Sequence, residues 1–580
     1  MIILKSLPKS VPLFALLLSL GMTSFQPVLA AGVVNRIDEQ FQVVAPDGPG
    51  YTGYLVNNTR SLARFYSFLA TIKVDNGRIA GMRPCASLSE CPSDFSSQVA
   101  DINLTLCKSS SQSDCIVGIS TENTLTHESS SLAIDKSELT AGFNAIIKGN
   151  RSKGLPEGGN PLVISLPSAP HAGGDLYLVK SDYYASRKTS NDKFSLDLLT
   201  NGIYPITIDW GEFNPGGPNL EPKNYVGQPA GNLNAAPTPP FLNGITTDAR
   251  CLMATREMCL VPQAFPKNLS FGLQLRFSNG FDGWLYGRLA QPHVELNKSE
   301  SGSGAAMELT LRAQPVKVPV PYGWVKNSQL PAAMLAQYEK DRSGGIYVGK
   351  DPHAPLDTIS MLKGHSNKYD DSGIQEMINW MPLLGDRATA LPSQWSFQTL
   401  NQKSDTAQTL SRCTSQTKSL VGLIFTNATT YSSGPPTFDV ASGALDYKVA
   451  APHFASDGKT LITGTYDLVL NSQVARCIYN FTSAPVSASI SIVGDSGENR
   501  VATTSISESD GFLRMAAYGF TFSSPTIRIK LTQEGNAAAV TKSPAPIVVK
   551  KSSTIICVRG SITRKVIGSN PICPSGFRKR

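Results

Sequence analysis

Alternating apolar and polar positions run through most of the 580-residue chain. Segments such as YTGYLV (51–56), YSFLATIKV (66–74) and KFSLDLL (193–199) show the two-residue period of half-buried strands. Turn residues separate such segments at short intervals, as in DNG at 75–77. The pattern predicts a mainly β, multi-domain protein built from antiparallel β-sandwich domains.

The clearest predicted hairpin is FGLQLRFSNGFDGWLYGRL, residues 271–289. SNGFDG is a turn signal, and Trp284 and Tyr286 share one face of the return strand. The apolar residues of the first strand also share one face: Phe271, Leu273, Leu275 and Phe277.

Helical periodicity occurs in two segments, SQLPAAMLAQYEKD (328–341) and SGIQEMINWM (372–381). Ser328 is a possible N-cap for the first, and Ser372 with Gln375 forms a capping pattern for the second. We expect two short helices packed on a β scaffold.

Composition shifts divide the chain further. GLPEGGNP at 154–161 marks a boundary, and the Pro-, Gly- and Asn-rich stretch at 210–240 predicts a long loop. Whether 31–390 holds one domain or two stays open. The expected organisation is a signal peptide (1–30), an N-terminal β-rich domain (31–165), a β-rich domain with the long loop and both helices (166–390), a self-contained β-sandwich (391–533), a linker (534–552) and a small disulfide-closed C-terminal hairpin as a tail (553–580).

The first thirty residues resemble an export signal. Lys5 and Lys9 precede the apolar run VPLFALLLSL (11–20), and small residues then allow cleavage after Ala30. The run is short for a membrane span, so an uncleaved anchor is the weaker alternative. We expect an extracellular protein.

The ten cysteines agree with export, because an even count in an oxidising compartment predicts disulfides. Zinc is the weaker alternative, since there is no CxxC motif and the six histidines lie far from the cysteines in sequence. Nearest-neighbour pairing would join Cys85 to Cys91, Cys107 to Cys115, Cys251 to Cys259, Cys413 to Cys477, and Cys557 to Cys573.

Positive charge is concentrated at one end of the chain. Residues 541–580 contain nine Lys and Arg and no acid, a charge of +9. The whole chain carries +8 and residues 1–30 carry +2, so residues 31–540 carry −3. The tail therefore predicts binding to an anionic cell-wall polymer or membrane surface, and the export signal argues against nucleic acid. The candidate binding residues are Lys550, Lys551, Arg559, Arg564, Lys565, Arg578, Lys579 and Arg580.

The C-terminal sequence resembles a known type of tail. The segment from Ile556 to Lys579 contains, in this order, ICVRG, RKV, G, P, CPSGF and K. This order resembles the tails of uncharacterised exported proteins of planktonic actinobacteria. GTYDLVLNSQVARCIYNF (464–481) and GFLRMAAYGFTFSSPTIRIKLTQ (511–533) are similar to the β-domain that precedes such tails. The resemblance implies a surface-associated bacterial protein and brings no activity with it.

Candidate catalytic chemistry is sparse. Asp209 and Glu212 form the best carboxylate pair, although two solvated acids in a turn explain them as well. Asp370, Asp371 and Glu376 could bind calcium but lack the DxDxDG order, and acids at a helix start account for them. The chain has no GxSxG or HExxH motif and no nucleotide-binding glycine loop, so we predict no cofactor and no metal.

Two classes of function remain. A non-enzymatic surface protein with a structural, adhesive or ligand-binding role is favoured over a secreted hydrolase acting on polysaccharide or peptide. A glycan is a possible partner if a tryptophan provides a stacking face, although a tryptophan in a β-protein more often belongs to the core. The five candidates are Trp210, Trp284, Trp324, Trp380 and Trp395.

Overall fold

The structure is a computed structural model. The predicted signal peptide and the predicted linker lie outside the residues that it describes. These residues are 33–34, 37–43, 46, 48–56, 67–75, 78–143, 146–211, 252–254, 258–278, 283–301, 304–340, 345–348, 360–365, 371–400, 413, 420–432, 434–482, 486–493, 499–500, 503–522, 526–533, 553–559, 562–568, 573 and 577–579.

The fold is mainly β, as the alternating pattern predicts. The first strands are β1 Val33–Val34, β2 Gln42–Val43, β3 Tyr51–Val56, β4 Phe68–Asp75, β5 Arg78–Cys85, β6 Ser97–Asn103, β7 Cys115–Asn123, β8 Ser129–Ser130, β9 Ile134–Asp135, β10 Leu162–Ser165, β11 Leu176–Arg187 and β12 Ser195–Trp210. The middle strands are β13 Met253–Ala254, β14 Met258–Pro262, β15 Leu269–Phe277, β16 Gly283–Arg288, β17 Ala290–Ser301, β18 Gly304–Gln314, β19 Val316–Lys317, β20 Tyr322–Lys326, β21 Gly345–Val348, β22 Ser360–His365, β23 Ser393–Thr399 and β24 Leu420–Thr426. The last are β25 Thr430–Tyr431, β26 Thr437–Asp439, β27 Ala444–Ala450, β28 Thr463–Asn471, β29 Val486–Val493, β30 Asn499–Arg500, β31 Thr503–Ser509, β32 Phe512–Thr521, β33 Thr526–Gln533, β34 Ser553–Arg559, β35 Ile562–Gly568 and β36 Arg578–Lys579.

Helices are few and short in the described residues. The α-helices are α1 Ala332–Lys340, α2 Asp371–Trp380 and α3 Ser472–Tyr479. Short 3-10 segments are Asp38–Gln40, Ser137–Phe143, Arg151–Lys153, Asn327–Gln329 and Pro382–Leu384. The sequence predicts the first two α-helices but not α3.

The largest sheet has sixteen strands. It runs in the order β31-β32-β28-β24-β16-β23-β12-β11-β6-β4-β5, with β9, β10, β13, β14 and β19 attached beside this path. Most neighbours are antiparallel, but β16 and β24 are parallel, with Tyr286 opposite Ile424. All seven residues of β24 are buried, because this central strand is covered on both faces.

A five-stranded sheet, β17-β18-β15-β7-β8, packs against one face of the large sheet. Phe271 and Leu309 of the smaller sheet share a buried cluster with Val179, Ile203 and Phe397 of the larger. Each such side chain contributes roughly 1.5–3 kcal/mol by leaving water, so this two-layer core carries much of the stability.

The predicted hairpin at 271–289 is wrong. Its first strand, β15, pairs with β7 and β18, whereas its second strand, β16, pairs with β23 and β24 in the facing sheet. Five of the six residues of β16 are buried, so this strand needs neighbours on both edges and cover on both faces. The connection therefore crosses between two layers, and Leu285 meets the cluster of Phe271 from the opposite side.

Both predicted helices pack on the four-stranded sheet β20-β3-β22-β21. The Trp380 indole donates to Tyr338 Oη at 2.7 Å and stacks on Tyr54 with ring centroids 5.1 Å apart. Ser328 is not the cap of α1, because it lies in a 3-10 turn and the helix begins after Pro331. The buried face of α2 carries Ile374, Met377 and Met381, which pack in this cluster.

The strands of residues 391–533 occupy two layers but do not form a separate body. Strand β27 faces β28, with the Tyr447 and Tyr466 rings 5.5 Å apart. Strands β23, β24, β28, β31 and β32 nevertheless continue the sixteen-stranded sheet. The boundary predicted at 391 therefore lies within one compact unit, since parallel pairing of β24 with β16 joins the two regions.

Three disulfides follow the predicted nearest-neighbour pairing. They are Cys85–Cys91, Cys107–Cys115 and Cys413–Cys477, with Cα atoms 5.1, 5.2 and 5.7 Å apart. Cys259 and Cys573 are also disulfide-bonded. Cys251 lies outside the described residues, as does the side chain of Cys557.

A second compact unit comprises Phe481–Ser487 and Thr532–Arg580. Its C-terminal part is a three-stranded sheet in the order β35-β34-β36. Strands β34 and β35 form the predicted hairpin, with Arg559 opposite Ile562. The chain end then returns as β36 beside β34, with Arg578 opposite Val558, so the tail has one strand more than predicted.

Candidate binding cleft

A polar cleft lies on the face of the five-stranded sheet that is turned away from the core. Its volume is about 310 Å³. All of its lining side chains are polar or charged: Glu122, Thr124, His127, Ser270, Gln291, His293, Arg312 and Gln314. The cleft therefore offers many hydrogen-bonding groups and little apolar surface.

Strand alternation places these side chains together. Phe271 points into the core, so Ser270 and Gly272 of the same strand belong to the outer face. Ser270 lies opposite Glu122 of β7, and Gly272 lies opposite Arg312 of β18. Arg312 in turn lies opposite His293 of β17, so the cleft crosses four strands.

Gly272 lies on the outer face of β15 between Ser120 and Arg312 of the neighbouring strands. A Cβ atom at this position would lie 2.3 Å from Ser120 Oγ and 3.7 Å from Arg312 Cγ. A side chain here would displace the Ser120 hydroxyl. Glycine therefore keeps the space beside the Arg312 stem open.

Glu122 is the central acceptor of one wall. Arg312 Nη1 donates to Glu122 Oε2 at 2.7 Å, and His127 Nδ1 lies 3.4 Å from Glu122 Oε1. Arg312 Nε is buried and, among the described residues, has no hydrogen-bond partner. The wall thus pairs a carboxylate with a guanidinium and an imidazole, next to the Ser270 hydroxyl.

A tight turn positions His127. Asn123 Oδ1 accepts hydrogen bonds from the backbone N–H groups of Leu125 (2.9 Å) and Thr126 (3.2 Å), and the His127 amide donates to Asn123 O at 2.8 Å. His127 has φ of 60°, a left-handed conformation that few non-glycine residues adopt. The backbone of this turn is therefore held before any ligand arrives.

An irregular segment of β17 forms the opposite wall. The register shifts between Ala290 and His293, and Gln291 has φ of 52°. Gln314 Nε2 donates to Gln291 Oε1 at 2.7 Å, and His293 Nε2 lies 2.9 Å from Glu295 Oε1. The bulge turns Gln291 into the cleft instead of leaving it in the regular ladder.

A buried carboxyl group lies behind this bulge. The Tyr518 hydroxyl donates to Asp467 Oδ1, and the Gln291 backbone amide also hydrogen-bonds to this carboxyl. Burial raises the pKa of Asp467 to about 7, and both hydrogen bonds oppose that rise. Asp467 Oδ2 is buried and finds no hydrogen-bond partner among the described residues. The carboxyl thus supports one wall of the cleft from the core side.

No pattern in the sequence pointed to this cleft. Its residues come from distant segments, and the ion pair between Arg312 and Glu122 alone joins positions 190 residues apart. His127 and His293 entered the sequence argument only as histidines distant from cysteines. The one available signal was that polar residues alternate with apolar ones in β15. This pattern identifies the outer face of the strand but does not indicate a cleft there.

The predicted carboxylate pair gains no support as a catalytic site. Asp209 is exposed at the end of β12, opposite Cys259 of β14. Glu212 lies outside the described residues. Of the predicted calcium ligands, Asp370 also lies outside them, and Glu376 accepts a hydrogen bond from Tyr338 Oη at 2.7 Å.

The tryptophans are mostly core residues. Trp210 differs, since it is 62% exposed at the end of β12. It therefore remains the one candidate sugar-stacking residue of the five. The buried ones are Trp284, Trp324, Trp380 and Trp395.

The tail exposes several of its predicted binding residues. Arg559, Arg578 and Lys579 are exposed on two adjacent strands. Arg564 lies opposite Cys557 in register, and Lys565 lies opposite Ile556. Lys550, Lys551 and Arg580 lie outside the described residues.

In the described part of the chain, no group of three or more His, Cys, Asp or Glu side chains is arranged to hold a metal ion. No described helix is long and apolar enough to cross a membrane. Three disulfides indicate an oxidising, extracellular-type compartment.

Comparison with known proteins returned no relative. No family model, no curated protein and no solved structure matches the chain.

Proposed function

We propose that the protein is an exported, non-enzymatic surface protein whose basic tail holds it at an anionic envelope polymer or membrane surface. The observation that carries this proposal is the tail sheet. Three exposed cationic residues, Arg559, Arg578 and Lys579, lie on the adjacent strands β34 and β36, with Arg559 and Lys579 on one face of the tail sheet and Arg578 on the other. The disulfides add support, because they fit a protein that works outside the cytoplasm.

Charge alone can provide useful retention. Residues 541–580 carry +9 and residues 31–540 carry −3, so attraction to an anionic surface acts on one end of the chain. Near an anionic membrane each Lys or Arg contributes on the order of 1 kcal/mol, within a screening length of about 8 Å at physiological salt. Several such residues acting together require no pocket.

The tail is also organised before it binds. Its two main strands pair over seven positions, and Cys573 is disulfide-bonded. A folded module loses less conformational entropy on binding than a flexible basic segment does. This is the advantage that a sheet gives over a run of lysines.

Cell fractionation tests the proposal. Cells expressing the full chain should retain it in the envelope fraction and release it in about 1 M salt, where the screening length falls to about 3 Å. Cells expressing the chain truncated after Ser552 should release most of the protein into the medium. Equal retention of both chains would place the anchor elsewhere.

A charge variant separates the tail's charge from its mere presence. Arg559→Gln, Arg578→Gln and Lys579→Gln together should lower the salt concentration needed for release. The matched control changes three exposed cations of the body: Arg83→Gln, Lys188→Gln and Lys193→Gln. Both variants lose three positive charges, so an equal effect would contradict a specific role for the tail.

A further inference from the structure

We infer that the polar cleft of the five-stranded sheet binds a neutral saccharide. This site is separate from the tail, and the inference does not depend on the tail's proposed role. It rests on the chemistry of the lining residues, on their charge balance and on the way the cleft walls are held.

The lining residues present donors and acceptors side by side. The Arg312 guanidinium lies 2.7 Å from Glu122, the two amides of Gln291 and Gln314 lie 2.7 Å apart, and other polar groups fill the space between. A sugar hydroxyl both donates and accepts a hydrogen bond. Neighbouring hydroxyls on one ring therefore match adjacent donor and acceptor groups, as Glu122 beside Arg312 provides.

The fixed charge of the cleft is balanced. Arg312 contributes one positive charge, and its partner Glu122 contributes one negative charge. A phosphate or carboxylate ligand would require an excess of cations, which these lining residues do not supply. The balance favours an uncharged ligand.

The shape and lining disfavour the other uncharged ligands. Every described lining side chain is polar, so an apolar molecule would gain little by binding there. An extended peptide binds best at a sheet edge with apolar pockets for its side chains, whereas this cleft lies on a sheet face.

The cleft is held before a ligand binds. Asn123 fixes the turn that carries His127, and the buried Asp467 and Tyr518 hold the backbone of Gln291. Little ordering is needed on binding, which saves the entropy that a flexible polar site would lose. A small polar site without an aromatic platform depends on this saving.

Titration calorimetry and ligand-observed NMR on the full chain test the inference. The probes are neutral oligosaccharides built from glucose, xylose, mannose and N-acetylglucosamine, with an oligogalacturonate and an unrelated peptide for comparison. At least one neutral oligosaccharide should bind. Glu122→Gln should weaken that binding by about tenfold or more, because one acceptor oxygen becomes an amide donor and the charge-assisted hydrogen bonds to the ligand are lost.

Matched variants make the result specific. Glu128→Gln is the control, since Glu128 is exposed next to His127 and lies outside the cleft lining. This substitution should leave the affinity for the oligosaccharide within about twofold of wild type. Gln314→Ala removes the opposite wall's amide without touching the ion pair, and should also weaken binding. If Glu122→Gln does not fold, as judged by thermal unfolding, Gln314→Ala decides.

Three outcomes would overturn the inference. One is no binding of any neutral oligosaccharide up to about 10 mM, which is weaker than a specific saccharide site requires. Another is binding of only the oligogalacturonate or the peptide. The third is equal affinity of the Glu128→Gln and Gln314→Ala variants for a saccharide that does bind, which would locate binding outside the cleft.

Discussion

At the scale of single residues, buried polar groups were the least predictable feature. Asp467 lies in strand β28, yet this residue is only 4% exposed. Alternation places Asp467 on the same face as Val469, which belongs to the main core. The sequence could not reveal this, because the covering groups, Tyr518 and Gln291, come from distant strands.

The burial of Arg288 was equally unpredictable from the sequence. The pattern WLYGRL shows that Trp284 and Tyr286 share a face, but nothing in it places the following arginine in the interior. Arg288 is 3% exposed, donates to the backbone oxygens of Thr426 and Thr429 at 3.0 Å each, and lies 4.4 Å from the Tyr431 ring. Its partners follow some 140 positions later, so only the folded chain identifies its role.

Asp467 makes stability depend on pH. The pKa of Asp467 is about 7 in the folded protein, whereas the ordinary value of an aspartate, 3.8, applies to the unfolded chain. Between these two pH values the folded state therefore retains a proton that the unfolded state loses. The contribution of Asp467 to the free energy of unfolding is complete below about pH 4 and is lost as pH rises through 7. Between these values the free energy of unfolding falls by up to about 1.4 kcal/mol per pH unit. Asp467→Asn, which does not titrate, should gain stability relative to wild type between pH 5 and pH 8, by at least about 1 kcal/mol.

Urea unfolding at the two pH values, with disulfides intact, measures this difference. Asp94→Asn is the control, because Asp94 is an exposed residue 3.6 Å from Lys73, and this change should shift stability equally at both pH values. If the Asp467→Asn and wild-type stabilities change in parallel with pH, the carboxyl group does not titrate as proposed.

At the scale of elements, local signals were mostly reliable. The β-strands and the buried face of α2 follow from the two periodicities of the chain. Helix α3 was missed because it begins directly after strand β28, and its eight residues are too few for a clear period. Its signals were Asn471 before the helix and Asn480 after it, both residues that favour helix ends.

These caps allow a paired prediction. Asn471 Oδ1 accepts hydrogen bonds from the amides of Gln473 and Val474, so Asn471→Ala should destabilise the protein by about 1 kcal/mol. Asn480 is in the left-handed conformation with φ of 54°, which glycine adopts without strain. Asn480→Gly should therefore change stability by no more than about 0.5 kcal/mol. Chemical unfolding of both variants checks this, and a loss for Asn471→Ala no larger than that for Asn480→Gly would contradict the prediction.

At the scale of the whole molecule, the strands were predictable and their partners were not. A period of two identifies which residues of β15 and β16 are buried, but it carries no information on which sheet each strand joins. The hairpin predicted from a six-residue turn proved to be a crossing between layers. The cleft could not be predicted for the same reason, since four strands from different parts of the chain build it.

The large sheet pairs C-terminal strands directly with strands from much earlier in the chain. Strand β24 pairs on one side with β28 and on the other with β16, which precedes it by more than a hundred residues. Several buried side chains of the C-terminal strands belong to the core formed with the N-terminal ones: Leu420, Leu423, Phe425, Val469 and Phe512. At roughly 1.5–3 kcal/mol each, their exposure would cost on the order of 10 kcal/mol, as much as a typical domain's whole stability.

Residues 391–533 expressed alone under oxidising conditions should therefore fail to unfold cooperatively, despite the Cys413–Cys477 disulfide within them. That bridge constrains the unfolded chain by about 4 kcal/mol in the loop-entropy model, which does not offset the loss of the shared core. The matched control is the longer fragment 31–540, which retains β16 and should show one cooperative transition with a β-type circular dichroism spectrum. A cooperative transition in the short fragment would show instead that β24, β28 and β32 form a stable edge without their N-terminal neighbours.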